Sequence, residues 1–142
     1  KPSWKSQSLI SALNGLKELG DPRGVAIAYD ALKNVHLPRW YLATPIWDYP
    51  VAAAETLVAL GKGDTAYAML LERFKKSMVE NDVNDIFANT YLLTIIADPR
   101  GQEVYDLLRK KFKDDANAML AVTNYETQYQ TAIKNKTNTQ KL

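Results

Sequence analysis

Apolar residues recur along this chain every three or four positions, and no stretch alternates in the manner of a strand, so the pattern predicts helices throughout. Leu9, Leu13 and Leu16, flanked by Ile10 and Leu19, mark a first amphipathic helix over Lys5 to Leu19. Val25, Ala28, Tyr29 and Leu32 repeat the spacing in a second that fades at Lys33-Asn34. Pro38 and Pro45 then push their preceding residues out of helical geometry, and Val35 to Pro45 reads as a connecting loop. A third helix is alanine-rich from Val51 to Leu60; with a start at Asp48 its Pro50 falls in the first turn, and with a start at Thr44-Pro45 it becomes a kink. Asp64 caps a fourth, with Ala66, Met69, Leu70 and Phe74 inward and Glu72, Arg73, Lys75 and Lys76 outward. The fifth begins near Asn81-Asp82 and contains Tyr91-Leu-Leu-Thr-Ile-Ile96, apolar on nearly every side, which places it between neighbours. Val104, Tyr105, Leu108 and Phe112 define a sixth, and Met119, Val122, Tyr125, Tyr129 and Ile133 a seventh that starts at Asp114 or Asp115. Beyond Lys134 almost nothing remains to bury, so 1–134 reads as one helical domain and 135–142 as a disordered tail.

One phrase is written more than once. Leu19-Gly-Asp-Pro-Arg-Gly24 returns as Ala97-Asp-Pro-Arg-Gly101, and a weaker version, Leu57-Val-Ala-Leu-Gly61-Lys-Gly-Asp64, lies between. In this reading Gly20 and Gly61 close helices in the left-handed conformation, and Ala97 departs from that pattern. Asp21 and Asp98 then act as N-caps with Pro22 and Pro99 at the first helical position, where a missing N–H costs nothing. Arg23 and Arg100 are solvated first-turn residues or rungs between neighbouring units. The stops at Gly20, Gly61 and Ala97 are 41 and 36 residues apart, close to the roughly 40-residue period of two-helix repeats. Seven helices with this recurrence predict an all-α fold, a right-handed α-α superhelix of HEAT or armadillo type.

Composition narrows the chemistry. With 142 residues, 46% of them hydrophobic, the chain is long enough for one substantial core. Eighteen basic and sixteen acidic residues leave a net charge of +2, too small to point to nucleic acid, an acidic substrate or an anionic membrane. Cysteine is absent, which removes disulfides, thiolate metal sites and a cysteine nucleophile. No apolar run is long enough to span a bilayer and the N-terminus is no signal peptide, so the expectation is a soluble chain, periplasmic or secreted if a longer parent carries a leader. The only histidine, His36, sits in the proline-bearing loop without suitably spaced partners for a metal or a triad.

The alanine-rich helix Val51-Ala-Ala-Ala-Glu-Thr-Leu-Val-Ala-Leu-Gly61 and the Leu-Gly-Asp-Pro-Arg-Gly start at 19–24 resemble HEAT repeats over about residues 7–113. More narrowly, Leu19-Gly-Asp-Pro-Arg-Gly-Val-Ala-Ile-Ala-Tyr-Asp-Ala-Leu32 is similar to the HEAT-like repeats that close bacterial M1-family zinc aminopeptidases. That resemblance implies a non-catalytic C-terminal domain packed on or covering a catalytic domain, which is its expected partner. Zinc would belong to that other domain, because neither the His-Glu-x-x-His nor the Gly-x-Met-Glu-Asn motif occurs here. No catalytic, cofactor-binding or metal-ligating residue is assigned in this chain.

The stretch with functional texture is Leu37-Pro-Arg-Trp40-Tyr-Leu-Ala-Thr-Pro-Ile-Trp47-Asp-Tyr49. Aromatics beside an arginine are typical interface anchors, which makes Arg39, Trp40, Tyr41, Trp47 and Tyr49 a candidate docking surface; the same residues also suit a plug between the second and third helices. Two other functional classes compete with the aminopeptidase resemblance. One is a free-standing interaction scaffold whose groove binds a protein or peptide. The other is a HEAT-like glycosylase-type module binding DNA, for which Lys75-Lys76, Arg109-Lys110-Lys111 and the Lys-bearing tail are the basic clusters.

Overall fold

The computed structural model describes residues 4–33 and 49–140. Those residues form seven α-helices and no strand: α1 (Trp4–Leu19), α2 (Arg23–Lys33), α3 (Tyr49–Ala59), α4 (Gly63–Glu80), α5 (Val83–Ile96), α6 (Gln102–Lys111) and α7 (Ala116–Gln140). The fold is all-α. Each helix from α1 to α4 packs on the next and α6 packs on α7, and the odd-numbered helices also touch in series, α1 on α3, α3 on α5 and α5 on α7. One apolar core runs through all seven, from Leu13 and Leu32 past Leu57, Phe74, Ile86 and Leu92 to Val104, Leu108 and Val122.

Side-chain chemistry accounts for these boundaries. Gly20 (φ 65) and Gly61 (φ 79) take the left-handed conformation that closes α1 and α3. Asn81 (φ 55) and Ala97 (φ 49) do the same for α4 and α5, so the alanine expected to differ adopts the glycine geometry. Asp82 caps α5, accepting from the Asp85 N–H at 3.2 Å, and Asp115 accepts from the Ala118 N–H at 3.0 Å where α7 begins. Pro50 is the second residue of α3, where proline is tolerated. α5 is the innermost helix: Ile86 through Thr90, Leu92 through Thr94 and Ile96 are all buried. Its threonines turn their hydroxyls onto the preceding turn, Thr90 to Ile86 O (2.7 Å) and Thr94 to Thr90 O (2.8 Å), which satisfies them without water.

Three sequence expectations need correction. Asp64 is not the N-cap of α4; that place is held by Lys62, and Asp64 instead bonds the Thr65 N–H within the first turn. Asp98 does not cap α6, whose N-cap is Gly101, three residues later. Residues 135–140, expected in a disordered tail, are the last turns of α7, and Lys136 Nζ donates to Ile96 O (2.9 Å) and Ala97 O (3.1 Å), capping the carbonyl end of α5. Leu13 on α1 is wholly buried, and among the described residues the exposed large apolar side chains are Leu19, Ile27, Val79, Val83 and Leu120.

Candidate functional site

Two arrangements stand out, a repeated turn and a polar groove. In the turn, each aspartate clamps the arginine two residues on. Asp21 accepts from the Arg23 N–H (3.0 Å) and its guanidinium (2.5 Å), and Asp98 accepts from the Arg100 N–H and guanidinium, each at 2.8 Å. The Asp98 carboxylate is buried, and the Arg100 hydrogen bonds hold its pKa below the usual carboxylate range despite the opposing effect of burial. Arg100 also reaches α4, where its guanidinium lies 4.7 Å from the centroid of the Tyr67 ring. The Tyr67 hydroxyl is 2.9 Å from Glu103 Oε1 and 3.1 Å from Arg100 O.

The glycine that ends each copy of the motif marks a close approach. A Cβ on Gly24 would lie 2.9 Å from Leu60 Cδ1 and 3.1 Å from Leu16 Cβ; one on Gly101 would lie 3.0 Å from both Asp98 O and Tyr129 Cε1. Tyr129 seals the second copy by donating to Asp98 O at 2.7 Å while its ring packs 5.1 Å from that of Tyr105. Beside it, buried Glu126 on α7 receives Gln102 Nε2 (2.6 Å) and the guanidinium of Arg109, both on α6. The Arg109 hydrogen bonds push the Glu126 pKa down. Arg109 is therefore committed to an ion pair, and Lys111 bonds Asn81 Oδ1, so the basic cluster 109–111 is not a bare cationic face.

The groove, about 800 Å³, lies between α2, α4 and α5. α2 contributes Tyr29 and Lys33, and α5 contributes Asp85 and Asn89. Along α4, Met69, Arg73 and Ser77 recur on one face with Glu72, Lys76 and Glu80 beside them. Among the described residues three cations and three carboxylates line it, with formal charges that cancel. Arg73, expected on the outward face of its helix, is half-buried and donates to Leu32 O at 2.7 Å, which ties α4 to the carbonyl end of α2. Ser77 spends its hydrogen on Phe74 O (2.7 Å), leaving its oxygen lone pairs.

Asn89 is the anomaly. It is 4% exposed, and its Oδ1 is buried with no hydrogen-bond donor among the described residues. An unpaired buried amide carbonyl costs about 1–3 kcal/mol, so it requires a reason. Pattern reading missed it because α5 also carries Asn84, Asp85, Thr90 and Thr94, among which one more polar residue gives no signal.

The candidate docking residues Arg39, Trp40, Tyr41 and Trp47, together with His36, lie outside the described residues, as does the side chain of Tyr49. Among the described residues no three His, Asp or Glu side chains converge as a metal site would require, and no helix is long and apolar enough to cross a membrane. Protein-family models, curated proteins and solved structures yield no match to this chain.

Proposed function

We propose that this chain is a non-catalytic helical-repeat domain of HEAT type, in which α1–α2, α3–α4 and α5–α6 are three stacked units of a right-handed superhelix and α7 covers the last. The observation that carries this reading is the twice-built Asp-Pro-Arg-Gly turn, with the same carboxylate clamp and the same close-packed glycine in each copy. The serial contacts of α1, α3, α5 and α7 support it, because stacked two-helix units touch their neighbours in that order. On the resemblance of residues 19–32, the domain belongs to the C-terminal part of an M1-family zinc aminopeptidase. There it packs on or covers a catalytic domain that supplies all the zinc chemistry.

Two measurements test the parts separately. Small-angle scattering tests the superhelix: an open stack gives a radius of gyration above the roughly 14.5 Å of a compact globule of this length, and a value at or below that refutes it. The reading frame upstream of Lys1 tests the parentage. A His-Glu-x-x-His helix there supports the aminopeptidase assignment, whereas a frame opening near Lys1 removes it and leaves the free-standing scaffold.

A further inference from the structure

We infer that the turn between α1 and α2, with the first turns of α2, forms an edge that docks an amphipathic helix from outside this chain, and that Arg23 and Ile27 receive a phenylalanine ring of that helix. The inference rests on the equivalence of the two Asp-Pro-Arg-Gly turns and not on the aminopeptidase resemblance.

The second turn shows what such a turn holds. Its glycine approaches a later helix, at Tyr129 of α7, just as Gly24 of the first turn approaches Thr56 of α3. Its arginine side meets the helix before α5: the Arg100 guanidinium stacks on Tyr67 of α4, and Glu103 Oε1 lies 2.9 Å from the hydroxyl of the same ring. Arg23 is the counterpart of Arg100, oriented by the same aspartate clamp. Between arginine and tyrosine the second copy is one residue shorter, so Tyr29-Asp-Ala-Leu32 matches Tyr105-Asp-Leu-Leu108. Burial agrees with that match, since Ala28 and Leu32 are wholly buried and so are Val104 and Leu108. Ile27 therefore stands where Glu103 does.

The first turn has the same parts with that side open. The Arg23 side chain is 83% exposed against 59% for Arg100, and no ring of the described residues stacks on it. Ile27 is 41% exposed, and Leu19 is 80% exposed where its counterpart Ile96 is 1% exposed. α5 packs on α3 and α4, which come before it, whereas no described helix comes before α1. A clamped arginine between two bare aliphatic side chains is the complement of an aromatic ring with apolar neighbours.

The exchange of Glu103 for Ile27 selects the ring. Ile27 offers no acceptor, so a phenol or an indole docked there would lose its hydrogen bond to water, and phenylalanine has none to lose. A second copy does not supply it, because the chain's three phenylalanines are buried Phe74 and Phe87 and half-buried Phe112.

The test uses the full chain, labelled with 15N, and a stapled helical peptide of the α4 sequence, Gly63–Glu80, carrying Tyr67→Phe. Saturable shifts are expected at Leu19, Arg23 and Ile27, with binding about fivefold tighter than that of the same peptide with its tyrosine. Arg23→Gln should weaken the phenylalanine peptide about two- to fivefold. Ile27→Glu, at an exposed position, restores the arginine and glutamate pair of the second turn and should reverse the preference toward the tyrosine peptide. The wild-type comparison of the two peptides stands whether or not either variant folds. The inference is overturned by shifts absent at millimolar peptide, by shifts located elsewhere, by a wild type that binds the tyrosine peptide as well, or by a folded Ile27→Glu chain with unchanged preference. Edge resonances that move with protein concentration in the absence of peptide would also overturn it, by assigning the edge to a second copy.

Discussion

Replacing Gly101 with alanine is the sharpest probe of the repeated turn. Gly101 has φ −73 and ψ −8, a conformation open to any residue, so the backbone itself does not demand glycine. The obstacle is steric. The added Cβ would stand 3.0 Å from Asp98 O and 3.0 Å from Tyr129 Cε1. Tyr129 has no room to retreat, because it is 4% exposed, its hydroxyl donates to Asp98 O at 2.7 Å, and its ring is packed against Tyr105. Overpacking of this kind costs about 1–3 kcal/mol, while the stiffer unfolded chain returns about 0.4–1 kcal/mol. The net expectation is a loss of about 1–2 kcal/mol, read as a fall of roughly 0.5–1 M in the urea midpoint. Gly63→Ala is the internal control: the nearest atom to its Cβ is Val58 Cγ2 at 3.7 Å, so stability should hold or rise slightly. A double-mutant cycle with Tyr129→Leu then asks whether the ring is the obstacle, and the two changes should couple by more than about 0.5 kcal/mol. A Gly101→Ala chain as stable as the wild type, with an unchanged denaturant slope, would refute the close-approach argument.

Two further outcomes follow from the contacts of α7. Lys136→Met should cost about 0.5–1 kcal/mol in urea unfolding, because it uncaps Ile96 O and Ala97 O; an unchanged midpoint would show that this contact contributes nothing. Asp98 and Glu126, with folded pKa values depressed by Arg100 and Arg109, stabilise the fold above the unfolded carboxylate range of about pH 4, and that contribution disappears as pH falls through their lower folded values. Urea midpoints measured from pH 7 to pH 3 should therefore fall more steeply for the wild type than for Asp98→Asn/Glu126→Gln, and parallel curves would contradict the assignment.

The helices were legible because burial imposes a period on the residues that face the core. Gly20, Gly61, Asp82 and Asp115 could be placed as helix ends since each works through its own local backbone. Ala97 was legible as a stop but not as a left-handed one, because alanine carries no signal for that conformation. The Asp-Pro-Arg-Gly motif was visible as a recurrence but its meaning was not: the aspartate read as a cap whereas it clamps the arginine, and the close approach of Gly24 and Gly101 depends on residues outside the motif. The last turns of α7 escaped for a related reason, as a polar segment held by one lysine has no apolar stripe to announce it. For the groove, Tyr29, Arg73 and Asn89 come from three helices, and only the packing of those helices brings them together.

The burial of α5 on every side has a consequence for biosynthesis. Its Phe87 and Tyr91 rest against Tyr125 of α7, a helix that ends 44 positions after Ile96. At translation rates of about 5–20 residues per second, the last residue of α5 is added roughly two to nine seconds before this cover is complete. During that interval the nascent chain presents a bare aromatic ridge, the surface on which a chaperone would act or an aggregate would begin.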